Sequence, residues 1–238
     1  MAPGSKTFFT IPEWEPLPFL VHGFGDRNWR SSDFDKHPRL RQFEPIFLRQ
    51  IHSGIFHVVE EVPRDRLAGD ALLTERRGLL LIIKTADCLP VLIVSRERRA
   101  VAAVHCGWKS TAQGLVQKVV RGMEERFASR PASLWAALGP CIGGDCYEVG
   151  EDVRQEFRKR GLNGDAFLTH PNLPGKYFLD LAKANRHQLL ECGLKESNLF
   201  RVDRCTHCEG NLLSYRRSRR TKGRMLNFIG IVPERAEP

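Results

Sequence analysis

The chain has 238 residues, 42% of them hydrophobic, which is enough to bury a sizeable core. It has no apolar stretch of about 18 residues, and its first six residues show no apolar signal core, so the sequence predicts a globular cytoplasmic protein with no membrane partner. Seven cysteines, an odd number, fit free thiols in a reducing compartment better than a disulfide framework. The net charge of +9 would attract phosphate in any form, but no nucleic-acid motif or aromatic stacking platform accompanies it, so no nucleic-acid partner is expected and the densest cluster, 216–224, reads as solvated turn charge or as a site for a small anion.

In chain order, short apolar runs at 8–11, 19–24, 46–48, 55–59, 71–73, 79–83, 90–94 and 100–104 predict strands. The polar stretch 95–99 joins the last two as a hairpin. Apolar residues at helical spacing predict a helix capped by Ser110 or Thr111 and running to about Phe127. A strand at 134–138 leads into the glycine-rich loop Gly-Pro-Cys-Ile-Gly-Gly-Asp-Cys-Tyr. Helices fit 151–160 and 180–192, with Gly161 and Gly193 as stops. Strands at 199–202, 212–215 and 225–232 close the chain. Without a linker, repeat or low-complexity tract, the pattern predicts a single α+β domain over 1–238.

Two segments place chemistry at strand ends: Thr-Ala-Asp-Cys-Leu-Pro at 85–90 and Val-His-Cys-Gly-Trp at 104–108. With the hairpin turn centred near Glu97 and Arg98, His105 lies opposite Pro90 and Cys88 is a diagonal neighbour, about 7–8 Å away in such a ladder. This geometry permits a shared metal ion or a direct Cys88–His105 contact. It also permits a buried apolar cysteine beside a core histidine. His52, at the end of the segment 46–51, adds a third ligand type. Two imidazoles and one thiolate suit a tetrahedral zinc with an open fourth position, the catalytic rather than the structural pattern. Spacing alone does not single out this trio.

Seven ordered motifs together resemble the YfiH-type family: Gln-x-His-Ser at 50–53, Gly-Asp-Ala-Leu-Leu-Thr at 69–74, Thr-Ala-Asp-Cys-Leu-Pro-Val-Leu at 85–92, Val-His-Cys-Gly-Trp-Lys-Ser-Thr at 104–111, Gly-Pro-Cys-Ile-Gly at 139–143, Cys-Tyr-Glu-Val at 146–149 and Ser-Tyr-Arg-Arg at 214–217. That family has been called laccase-like polyphenol oxidase, peptidoglycan editing factor, and purine nucleoside phosphorylase with adenosine deaminase activity. The resemblance runs from about His22 to Phe228. It implies a zinc held by His52, Cys88 and His105, mixed sheets packed together with helices outside, and purine nucleosides and phosphate as substrates. The family's second motif usually reads His-Ala-Gly-Trp-Arg-Gly, so Cys106, Lys109 and Ser110 depart from it. Lys109 keeps the charge but loses the arginine fork. Lys222 also stands between Thr221 and Gly223, where the family runs Thr-Gly-Arg.

The expected activity is zinc-dependent phosphorolysis of adenosine, inosine or methylthioadenosine, with adenosine deamination as a second activity at the same centre. Copper is expected to occupy the same ligands when supplied. Arg216 and Arg217, within the basic cluster 216–224, are the candidate anion ligands. Cys141 is offered to substrate by its place in the loop after 134–138, although a structural role is also open to it and to Cys146. The Cys-Thr-His-Cys run at 205–208 lacks a second pair and is not read as a zinc site. His22 is read as bracing a turn.

Two other functions compete. In one, Cys88 is the nucleophile and His105 the base of an amide hydrolase acting in peptidoglycan editing; in the other, the chain is a binding protein without catalysis. A multicopper laccase is rejected, because eight histidines and no His-x-His pair cannot supply the ligands such enzymes use.

Overall fold

The computed structural model describes residues 8–162, 165–219 and 221–234; residues 1–6, discussed above for export, and Arg220 of the basic cluster lie outside the described residues. Two large sheets pack face to face. The first contains β1 (Phe8–Phe9), β2 (Leu20–Gly25), β3 (Glu44–Phe47), β6 (Leu79–Thr85) and β14 (Met225–Ile231), in the order β1-β2-β14-β6-β3. The second contains β4 (Phe56–Val58), β5 (Ala71–Thr74), β7 (Leu89–Ser95), β8 (Ala100–Cys106), β9 (Leu134–Leu138) and β13 (Leu199–Arg201), in the order β13-β9-β7-β8-β5-β4. Both are mixed: β3–β6, β13–β9 and β4–β5 run parallel and the other pairs antiparallel. A small third sheet joins β10 (Glu148–Gly150), β11 (Phe167–Thr169) and β12 (Lys176–Leu179).

Strand periodicity explains the layers. Along β7, Val91 and Ile93 face one way and Leu92 and Val94 the other. The first pair packs with Val119, Val120 and Met123 of α2 (Leu115–Phe127) and with Leu189 of α4 (Leu181–Glu191). The second pair meets Leu81, Ile83, Ile229 and Ile231 of the opposing sheet. The far side of that sheet is covered in turn, as Leu80, Ile82 and Phe228 pack against Trp29, Phe34 and Leu40. With both faces buried, Leu79 to Ile83 of β6 reads as an unbroken apolar run. The architecture is the expected α+β arrangement of packed mixed sheets flanked by helices. Among the described residues, no helix is long and apolar enough to cross a membrane.

The β7–β8 hairpin has the predicted register, with Pro90 opposite His105. Elsewhere the local reading changes. The helix expected from Ser110 or Thr111 is two helices, α1 (Trp108–Ala112) and α2, separated at Gly114, whose φ of 64° is left-handed. Gly107 is the N-cap, and Ser110 instead turns its hydroxyl onto the carbonyls of His105 and Gly107. The helix read at 151–160 is α3 (Glu151–Lys159), and Asp180 caps α4 by accepting the Lys183 N–H at 2.9 Å. Residues 212–215 form no strand. Leu212 and Leu213 are buried against Ala86 and Met225, while side chains answer their backbone: Arg217 donates to the Leu212 carbonyl and Thr221 to that of Ser214.

Candidate metal centre

Three chain segments converge where β7 and β8 end. His105 is the penultimate residue of β8, Cys88 immediately precedes β7, and His52 lies in the loop after β3 with a left-handed φ of 58°. Their ligand atoms all lie within 4.8 Å of one another. His52 Nε2 is 3.9 Å from Cys88 Sγ, and the two imidazole rings meet edge to face with centroids 4.9 Å apart.

The residue that organises this trio is Asp70, just before β5 and fully buried. It accepts the His105 Nδ1 proton at 2.8 Å, which turns the Nε2 of that ring to the centre. The same carboxylate accepts the backbone N–H groups of Ile51, His52 and Ser53 at 3.3, 3.0 and 2.6 Å, and the Ser53 hydroxyl at 2.8 Å. Burial works to raise the Asp70 carboxyl, but the bonds from His105 and Ser53 outweigh it and hold its pKa down at about 2. Sequence reasoning gave Asp70 no role, although it stands in the quoted motif at 69–74. An acidic residue in an otherwise buried strand start was the signal to follow.

Electrostatics couple Cys88 and His105. Burial pushes each toward its neutral form. The His105 charge and hydrogen bond nevertheless bring the Cys88 thiol down, and the Cys88 charge with the Asp70 hydrogen bond takes His105 up. Each group therefore favours the charged form of the other, and a metal cation at the centre would act on the thiolate in the same sense as the imidazolium.

The residues fit a metal ion on two counts. The donor set, two ring nitrogens and a thiolate, suits zinc or copper. Gly107 also leaves the floor of the centre clear, since a Cβ there would stand 3.0 Å from His52 and 3.1 Å from Cys88 Sγ. Next to the thiolate, Asp87 adopts an unusual φ of 92° and is tied down at both oxygens, by the Thr206 hydroxyl at 2.7 Å and the Arg216 N–H at 2.6 Å.

The trio opens on a cleft of about 1220 Å³. Its walls carry Arg49, Arg66, Lys84, Arg216, Arg219 and Arg224, together with the rings of Trp108, Tyr147 and Tyr215. Positive charge is dense enough that Lys84, already destabilised by burial, is lowered further by Arg66 and Arg224. The two candidate anion ligands separate. Arg216 lines the cleft, its guanidinium over the Tyr147 ring and bonded to the Glu148 carbonyl. Arg217 is turned to the backbone, donating to the carbonyls of Thr206, His207, Glu209 and Leu212. Cys141 is buried in the core beside Ile142 and does not line the cleft, and burial pushes its thiol up to about 12. His22 braces the fold as expected, its Nε2 accepting the Ile11 N–H at 2.8 Å.

Fold and site together define an α+β protein whose strand ends present a His-Cys-His group able to hold a metal ion at the base of a basic cleft. The chain belongs to the YfiH-type family, whose model, described as multi-copper polyphenol oxidoreductase laccase, matches residues 32–232. It is 35% identical over 232 residues to the purine nucleoside phosphorylase YfiH of Shigella flexneri, covering 94% of this chain and 89% of that one. Identity to the purine nucleoside phosphorylase YlmD of Geobacillus stearothermophilus is 39% over 162 residues, covering 68% of this chain and 59% of that relative. The adenosine deaminase RL5 of an unknown prokaryotic organism is 34% identical over 196 residues, 78% of this chain and 70% of that one. Among solved structures, the hypothetical protein YfiH of Bacillus licheniformis superposes with a TM-score of 0.85 at 28% identity, covering 95% of this chain and 97% of the other.

Proposed function

We propose that this protein is a zinc-dependent purine nucleoside phosphorylase acting on adenosine, inosine and methylthioadenosine in the cytoplasm, with adenosine deamination at the same centre. The observation that carries the reading is the placement of His52, Cys88 and His105 at the base of a cleft that is both cationic and aromatic. Relatives named as purine nucleoside phosphorylases and one named as an adenosine deaminase support it.

In this reading Arg216 and its basic neighbours draw phosphate into the cleft, and Trp108, Tyr147 or Tyr215 offers a flat face to the purine. A phosphate oxygen forms a bond to the ribose C1′ while the bond from C1′ to the base breaks, and the base leaves with the electron pair and takes a proton. Zinc on His52, Cys88 and His105 would supply Lewis acidity and lower the pKa of a bound water. Asp70 holds the His105 ring and the His52 backbone in place throughout. The test is incubation of the zinc-loaded protein with each nucleoside, with and without phosphate, and separation of the products. Base and the matching sugar 1-phosphate, 5-methylthioribose 1-phosphate from methylthioadenosine and ribose 1-phosphate from the others, formed only with phosphate support the reading, with inosine and ammonia from adenosine and water as the deaminase products. Absence of both products overturns it.

One observation favours a second reading. Cys88, His105 and Asp70 also line up as the Cys-His-carboxylate chain that serves a cysteine hydrolase. The two readings part on metal content, because a zinc-bound thiolate is not free to attack a carbonyl.

A further inference from the structure

A second group of metal-binding side chains lies outside the centre described above. Cys146 lies in the glycine-rich loop after β9, and Cys205 and Cys208 lie more than 50 residues later. The fold brings the three sulfur atoms within 4.8 Å of one another, with Cys146 Sγ and Cys208 Sγ 3.5 Å apart. Sequence reasoning set the Cys205–Cys208 pair aside for want of further ligands. Cys146 supplies one, brought across by a backbone bridge between Cys141 and Cys205.

Three features of this cluster match a thiolate metal site. Thiolates at about 2.3 Å from a tetrahedral zinc stand roughly 3.8 Å apart, inside the 3.5 to 4.8 Å range found here. The Cys205 sulfur accepts the Gly143 N–H at 3.2 Å and also faces the backbone N–H groups of His207 and Cys208. Such donors orient a thiolate and offset its charge without occupying the metal-facing side. The group is also accessible, with Cys208 exposed and Cys146 and Cys205 half-buried, so an ion has an entry path.

We propose that Cys146, Cys205 and Cys208 form a second metal site that takes a thiophilic d10 cation, zinc, with solvent in the fourth position. Each coordinated thiol gives its proton to solvent, so one zinc on three thiolates releases three protons and leaves one net negative charge. The ion joins a loop that lines the cleft to a loop that backs it. One carries Tyr147, and the other carries Thr206, whose hydroxyl holds Asp87 and whose carbonyl is gripped by Arg217. The site is a clip that fixes this wall, separate from the His52–Cys88–His105 centre.

The test uses the full chain, stripped of metal under reducing conditions and titrated with zinc alone. Wild type should bind a second equivalent beyond that held by the first centre. The Cys205→Ser/Cys208→Ser variant should lose that equivalent and keep the other, and His52→Ala should do the reverse. A second readout needs no variant: alkylation of Cys146, Cys205 and Cys208, mapped by peptide mass spectrometry, should slow at least about 10-fold on adding zinc and recover with chelator. Equal alkylation rates with and without zinc, or a Cys146–Cys208 disulfide in the protein as isolated, would overturn the proposal.

Discussion

Asp70 and His105 are joined by a 2.8 Å hydrogen bond buried between β5 and β8, and the same carboxylate holds the backbone of the His52 loop. One acidic side chain therefore fixes two of the three candidate ligands. Asp70→Asn keeps the shape but can no longer accept at every contact. It should weaken zinc binding about 10- to 100-fold, measured by competition with a chromophoric chelator. Unchanged affinity in a folded variant would remove Asp70 from the account of the centre.

Gly107 passes beneath the ligands where a Cβ would crowd both His52 and Cys88. Its backbone angles, φ −76° and ψ 172°, suit any residue, so Gly107→Ala should introduce crowding without backbone strain. The expected result is loss of zinc and of turnover with a thermal midpoint close to that of wild type. A variant that binds zinc normally would show that the centre has more room than these distances allow.

Arg216 and Arg217 are adjacent but answer to different demands. Arg216→Met should raise the apparent KM for phosphate about 10-fold or more, with a smaller effect on the nucleoside, as expected for loss of a charge-assisted contact. Arg217→Met removes the side-chain donor from four backbone carbonyls, of which only that of Glu209 keeps another, the Leu212 N–H, and should cost on the order of 2 kcal/mol of stability, read by denaturant unfolding. Exchanged phenotypes would refute this division of roles.

His22 gives the fold a pH dependence. Burial first, and the Arg39 charge second, lower its pKa from 6.5 to about 4. The folded state keeps it neutral, as its acceptor role toward Ile11 requires, whereas the unfolded chain takes up the proton below about pH 6.5. The stabilisation is thus complete above pH 6.5 and is lost as the pH falls toward 4, by on the order of 2–3 kcal/mol. Urea unfolding at pH 7 and pH 4 should show that much less acid loss in His22→Gln, which keeps an acceptor but does not titrate. Equal losses in the two proteins would contradict the assignment.

The sequence made the sandwich legible where its signals were local. Two apolar runs in β7 and β8, with a polar five-residue stretch between them, specified the hairpin and its register, and hence the neighbourhood of Cys88 and His105. What stayed hidden depended on contacts between distant segments. Asp70 acts on residues 17 to 35 positions away, and Cys146 meets Cys208 across 62. Residues 212–215 look like a strand because they are apolar, but their backbone is satisfied by Arg217 and Thr221 rather than by a ladder. The small third sheet has strands of three or four residues, too short to leave a period. Arg216 and Arg217 could not be told apart by residue type, only by where each guanidinium points.

The central claim is that a metal on His52, Cys88 and His105 drives chemistry on nucleosides. Its most direct test is to strip the protein, return zinc alone in steps, and follow nucleoside phosphorolysis together with alkylation of Cys88. The account predicts no turnover in the stripped protein, and base release that rises in step with protection of Cys88. Full activity in zinc-free protein, with Cys88 captured as an acyl adduct by a peptide-like substrate, would contradict it and establish the cysteine hydrolase instead.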